Sequence, residues 1–387
     1  MKKILFAAFA ASLLAAGCQK TEVYQPTTTG PEMTFSTEMK KITKVGTSSA
    51  SAEGKDANLQ AQGFNIWAYA DYDLTNATNV TDGIYDGMNG WFIDYQDSSW
   101  NPNKKYYWPG TGKDLRFFAV SLATQETTTG VISSRKPIST VTVVDPGIGP
   151  LKGDNTDDTV PTIKIENFHV SNTEPDEDLM VADFVKQNQS NKKVTLNFHH
   201  TLSKVQFWFK TTPDVVKNEQ GEITSTSIAN VTVKSITVDN LESSGTLEVK
   251  KADKTMNTPL VDNDFTWTSG NALKSFGKTS DLKLQENAAV YDTWLMIPQS
   301  ISGKKIKIEY NIDGRNFEAI FNLNADIQDF AGWDRNQYIK YTIDISPNKI
   351  KFNATSSDWT NFDGDGDSGK DTNNDGDSSN DDIDMNN

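Results

Sequence analysis

The chain holds one cysteine and three histidines in 387 residues. A lone Cys18 forms no internal disulfide and has no cysteine partner for a metal site, so no disulfide framework staples the fold. The histidines are His169, His199 and His200. His199 and His200 are neighbours, and in a strand they point to opposite faces, which reads as packed strand histidines rather than a metal pair. H-E-x-x-H, G-x-S-x-G and phosphate-loop glycine runs are all missing. Among 52 acidic residues no spacing nominates a carboxylate pair for glycoside hydrolysis. The expectation is a protein that is not an enzyme and carries no cofactor. Basic residues number 37, leaving a net charge of −15, which argues against nucleic acid as a partner.

The amino terminus is distinctive. Lys2 and Lys3 precede an apolar run from Ile4 to Ala16, and the small Gly17 follows. This is the order of a secretory signal peptide, and the run is shorter than the ~20 residues that span a bilayer. Leu14-Ala15-Ala16-Gly17-Cys18 resembles the lipobox of bacterial lipoproteins. The resemblance implies a cut between Gly17 and Cys18, with palmitate-type acyl chains on the Cys18 sulfur and on the new amino terminus. More than one such chain makes anchoring stable.

Residues 18–31 are polar with Pro and Gly and read as a tether. Beyond them lie short β-type runs, among them "MTFSTEM", "FNIWAYA", "GWFIDYQ", "KKYYWPG", "DLRFFAVSL", "TIKIENF" and "LMVADF". Further on come "KVTLNFHHTLSKVQFWFK", "NVTVKSITVDNL", "DTWLMIPQ", "KIKIEYNID", "NFEAIFNL" and "YIKYTIDI". In "KIKIEYNI" the period of two puts Ile306, Ile308, Tyr310 and Ile312 on one face. Asp313-Gly314 predicts a hairpin. Residues 44–62 read as a loop. Regular spacing with turn signals points to an all-β protein built of sandwiches. Length suggests two domains at about 150 residues each. The polar stretch 185–193 is the boundary expected between residues 32–190 and 191–360. Nine tryptophans are present. Trp67, Trp91, Trp100 and Trp108 are read as core, the alternative being a stacking platform for sugars.

Residues 361–387 hold nine Asp against one Lys. They read as a self-repelling, disordered acidic tail. The alternative is an EF-hand-type calcium loop, in which Asp371, Asn373, Asp375, Asp377 and Asp382 stand at ligand positions around Gly376. Position 12 of that loop is Asp rather than Glu, and no apolar anchor flanks it.

The ordered set of lipobox, "MTFSTEMKKITK", "FNIWAYA", "YYWPGTGKDLRFFAVS", "DLMVAD", "VTLNFHHTLSKVQF", "TWLMIPQ", "WDRNQYIKYTIDI" and "IKFNATSSDW" resembles the fimbrillins of Bacteroidetes. The resemblance implies two transthyretin-like β-sandwich domains in tandem and a pilus subunit or adhesin at the cell surface. It implies export as an outer-membrane lipoprotein, then proteolysis after a basic residue following the first strand. Loss of that strand, residues 33–37, opens a groove that a neighbouring subunit's strand fills. Lys44 stands where the family usually has Arg; Lys40 and Lys41 are competing sites. The last strand before Trp359 would be the donor, and the acidic tail beyond it either dangles from that donor or blocks it. Partners implied are other fimbrial subunits, the membrane through the lipid, and a host or bacterial surface ligand. The other function class left open is a lipid-anchored carbohydrate-binding protein of the same surface.

Overall fold

The computed structural model describes residues 30–41, 49–50, 57–72, 80–81, 84–102, 104–121, 124–128, 131–136, 140–144, 160–170, 178–324, 332–347, 349–359 and 383–384. The protein is all-β; a six-residue helix, Ala57–Gln62, and one 3-10 turn are the helical elements among the described residues. The helix falls where the sequence predicted loop. Among its described side chains Leu59 is the one buried in the core, too weak a signal for an apolar period to show.

The first sheet takes its main strands from the amino-terminal half: β1 (Thr34–Lys41), β2 (Phe64–Asp71), β3 (Ile84–Gln96), β4 (Ser99–Pro102), β5 (Asp114–Ser121), β6 (Met180–Ala182), β7 (Val185–Gln187) and β8 (Lys193–His200). Their order is β6-β8-β1-β4-β3-β2-β5-β7, and β6 also pairs with β5. That last ladder brings the sheet back on itself, which hides its edges. β2 is buried along nearly its whole length, as a central strand covered on both faces must be. Phe64, Ile66 and Ala68 feed one core, and Trp67 feeds the other.

The main strands beyond it are β9 (Ser203–Lys210), β10 (Val231–Glu242), β11 (Ser244–Lys250), β12 (Phe265–Ser269), β13 (Leu273–Lys283), β14 (Ala289–Met296), β15 (Lys305–Ile312), β16 (Arg315–Asn322), β17 (Gln337–Ile345) and β18 (Lys349–Asp358). One sheet runs β14-β9-β17-β18, and another runs β13-β10-β15-β16. They pack face to face: Phe321 of β16 stacks on Phe352 of β18 at 5.0 Å between ring centroids. Ile306, Ile308, Tyr310 and Ile312 face this core, as the alternation predicted. The hairpin turn at Asp313-Gly314 has φ of +47° and +86°, the left-handed pair that such a turn requires.

Two sequence readings meet a different local structure, and one ladder crosses residue 190. The run 193–210 is two strands, not one: β8 belongs to the first sheet and β9 to another, with Thr201 and Leu202 between. Strand Thr162–His169 pairs with β11, so a ladder links residues on either side of 190. Within "KKYYWPG" the backbone is irregular. Tyr107 makes one isolated bridge to Glu32, because Pro109 donates no ladder bond.

Candidate strand-exchange groove

β1 begins with a close approach. At Gly30 a Cβ would lie 2.1 Å from the Trp108 carbonyl oxygen, so only glycine lets the chain pass there. Met33 N–H donates to the Tyr106 carbonyl at 2.8 Å, and Trp108 N–H donates to the Pro31 carbonyl at 3.0 Å. Lys105 and Glu32 add an exposed ion pair at 3.0 Å.

From Thr34 to Met39 the strand runs parallel to β8 in six register pairs, among them Phe35 with Val194, Thr37 with Leu196 and Met39 with Phe198. On its other side, among the described residues, a single register pair joins it to β4, Phe35 with Trp100. Met33, Phe35 and Met39 are buried in one core cluster with Phe64, Trp100, Val194, Leu196 and Phe198. Phe64 packs tilted against both Trp100 and Phe198, at 5.0 and 5.3 Å between centroids. The intervening side chains carry the polar contacts. Ser36 and Thr195 hydroxyls meet at 3.0 Å, and on the inward side Trp100 Nε1 donates to Thr37 Oγ1 at 2.9 Å. β1 is therefore an amphipathic strand seated in a slot whose floor is aromatic. It is held strongly on one edge and thinly on the other.

Lys40 and Lys41 are the last residues of β1 and pair with Ala50 and Ser49. They lie in the strand rather than in the loop after it. Lys44 lies outside the described residues, as do Gly17, Cys18, Asp371, Asn373, Asp375, Asp377 and Asp382. Of the tail, Ile383 and Asp384 are described; they pair with Ile350 and Lys349 at the start of β18.

His199 and His200 are packed strand histidines. His199 Nε2 sits 2.7 Å from Asp183 Oδ1, which also accepts the Leu260 N–H at 2.7 Å. His200 Nδ1 lies 2.8 Å from Asp178, and its ring stacks on Trp359 at 3.8 Å and 7°. Trp67, Trp100 and Trp108 are buried core residues, and Trp91 is partly buried. Among the described residues no three His, Cys, Asp or Glu side chains gather as a metal site would need.

A second concave feature escaped sequence reasoning. An open cleft of about 600 Å3 is lined by Phe265 and Trp267 of β12, by residues 298–300 and 332–337, and by Asp262 and Asp358. Its residues are scattered over a hundred positions, and no spacing signal joins them.

Residues 43–359 match the model of the fimbrillin-like family. Among solved structures, a fimbrial protein from Bacteroides vulgatus is similar at 18% identity, with 85% of this chain and 99% of that one covered and a TM-score of 0.48. A candidate cell adhesion protein from Bacteroides uniformis is similar at 18% identity, with 87% and 100% covered and a TM-score of 0.43. Among curated proteins none matches.

Proposed function

The chain belongs to the fimbrillin-like family, and on that premise we propose that it is a fimbrial subunit or adhesin of the cell surface, assembled by strand exchange. The observation that carries this reading is the seating of β1, with six register pairs to β8 and one to β4. A strand held so unequally leaves by breaking one ladder, and it leaves behind an apolar slot with two ready edges.

On this reading the lipid on Cys18 carries the precursor to the outer membrane. A cut at Lys44 or Lys41 then detaches β1 with its tether. Main-chain hydrogen bonds from an incoming strand replace the lost ladder, and alternate side chains re-enter the slot to fix its register. β18 has the right pattern for a donor: Ile350, Phe352 and Ala354 are its buried, alternating residues. In the free subunit β18 is zipped to β17 by nine register pairs, so donation requires it to detach. The pairing of Ile383 and Asp384 on the far edge of β18 favours the acidic tail as a cover over that donor.

Amino-terminal sequencing of this protein from assembled fibres tests the reading. A first residue between 42 and 45 supports it, and a start at Cys18 removes the cleavage step.

A further inference from the structure

We propose that Trp100 selects the strand that fills the slot. Its indole N–H calls for an incoming strand with a hydroxyl, Ser or Thr, at the place Thr37 holds, with large apolar residues two positions to either side. This names the partner's chemistry within the strand-exchange reading and rests on that reading.

β1 is itself an occupant of the slot, and it shows what the slot accepts. The inward series is Met33, Phe35, Thr37 and Met39. Three of these are buried and apolar, while Thr37 is half-buried and polar. A Val at that place would have the same shape, more apolar surface and an equal liking for strands. Thr stands there against that advantage, and what it makes instead is one contact: Trp100 Nε1 donates to Thr37 Oγ1 at 2.9 Å. Phe64, Val194, Leu196 and Phe198 share the buried cluster with Trp100 and offer it no side-chain acceptor. An indole nitrogen only donates, and Trp100 is 9% exposed. A hydrocarbon side chain laid over it leaves a nearly buried donor unmet, which costs more than the added apolar surface returns.

The indole keeps its aim when β1 leaves. Trp100 is register-paired with Tyr95 of β3, and their rings lie 4.9 Å apart. Phe64 of β2 packs against it at 5.0 Å. Neither neighbour belongs to β1, so the donor is positioned by strands that stay. The Ser36–Thr195 hydroxyl pair at 3.0 Å is the counterpart on the other face of β1. Both of those residues are half-buried, and water replaces either hydroxyl at little cost, so that pair selects weakly. On β18 the buried series Ile350, Phe352 and Ala354 next reaches a hydroxyl at Ser356. The β18 of a second copy meets the indole in the register that sets Ser356 over Trp100, and in none that sets Ile350, Phe352 or Ala354 there.

The test uses the whole chain cut after β1 with trypsin. Labelled peptides of residues 32–41 are exchanged for the resident strand, and affinity is read by fluorescence anisotropy. We expect the native and Thr37→Ser peptides to bind alike, and the Thr37→Val peptide to bind roughly fivefold or more weakly. On a Trp100→Phe chain, which keeps an aromatic ring but lacks the donor, the Val peptide should bind as tightly as the native one. The comparison on the unaltered chain decides by itself where Trp100→Phe does not fold, because a slot without the indole requirement favours Val. Failure of every peptide to exchange, the native one included, would remove the strand-exchange reading and this proposal with it. Equal or tighter binding of the Val peptide on the unaltered chain, or an unchanged preference for Thr on the Trp100→Phe chain, would overturn the proposal and leave strand exchange standing.

Discussion

Phe35 and Trp100 form the single register pair between β1 and β4 among the described residues, while β1 makes six pairs with β8. One register pair therefore closes the sheet at its thinnest point. Trp100 belongs to the buried cluster that any strand occupying the slot must cover, and Phe35 is one of the β1 residues of that cluster.

Phe35→Ala should destabilise the unprocessed chain by about 3–5 kcal/mol, the usual cost of deleting a buried phenyl ring. Urea denaturation measures it. A loss under about 1 kcal/mol would mean that the slot collapses around β1 rather than being filled by it.

Register should decide which strands the slot accepts. A peptide of residues 32–41 should compete for the vacated slot after β1 is removed. The same peptide with one residue inserted after Phe35 should fail, because the shift sends Thr37 and Met39 to the opposite face. Fluorescence anisotropy of labelled peptides distinguishes the two.

Asp86 predicts a pH effect. Burial pushes its carboxyl above the ordinary aspartate range, against the partial opposition of the Lys104 ammonium at 3.2 Å. A raised folded-state pKa means that the native protein holds this proton more tightly than the unfolded chain. The charged form then costs stability as pH rises through the folded value. Asp86→Asn should raise the melting midpoint at pH 7, and the gain should shrink below pH ~4, where the unfolded aspartate is also protonated. Asn suits the backbone there, where φ is +49°.

Trp359 is the last residue matched by the family, and it stacks on His200 at the end of β8 while its N–H donates to the Asn336 carbonyl at 2.8 Å. Trp359→Ala should cost about 3–5 kcal/mol in calorimetric or urea unfolding.

Much of the fold could be read from the chain because its inward residues alternate. The period of two in 305–312 and the Asp313-Gly314 turn both appear in the structure. Strands without alternation escaped. Leu273–Lys283 is largely exposed, and the hairpin of Asp214–Lys217 with Ile223–Ser227 is almost wholly so, leaving no apolar face to detect. The split at Thr201-Leu202 was hidden for the opposite reason. Apolar residues continue on both sides of it, and only hydrogen-bond partners reveal the change of sheet. The amphipathic pattern of β1 was visible, whereas its unequal pairing is a property of the assembled sheet. The cleft is invisible to spacing, since β12 and the 332–337 turn meet only in three dimensions.

Strand exchange is most directly tested by trimming the purified chain with trypsin, confirming the new amino terminus by sequencing, and imaging the product by electron microscopy with and without excess 32–41 peptide. The account predicts fibres from the chain that has lost β1, none from the intact chain, and none when the peptide refills the slot. A trimmed chain that stays monomeric, or fibres that still contain residues 33–37, would contradict it.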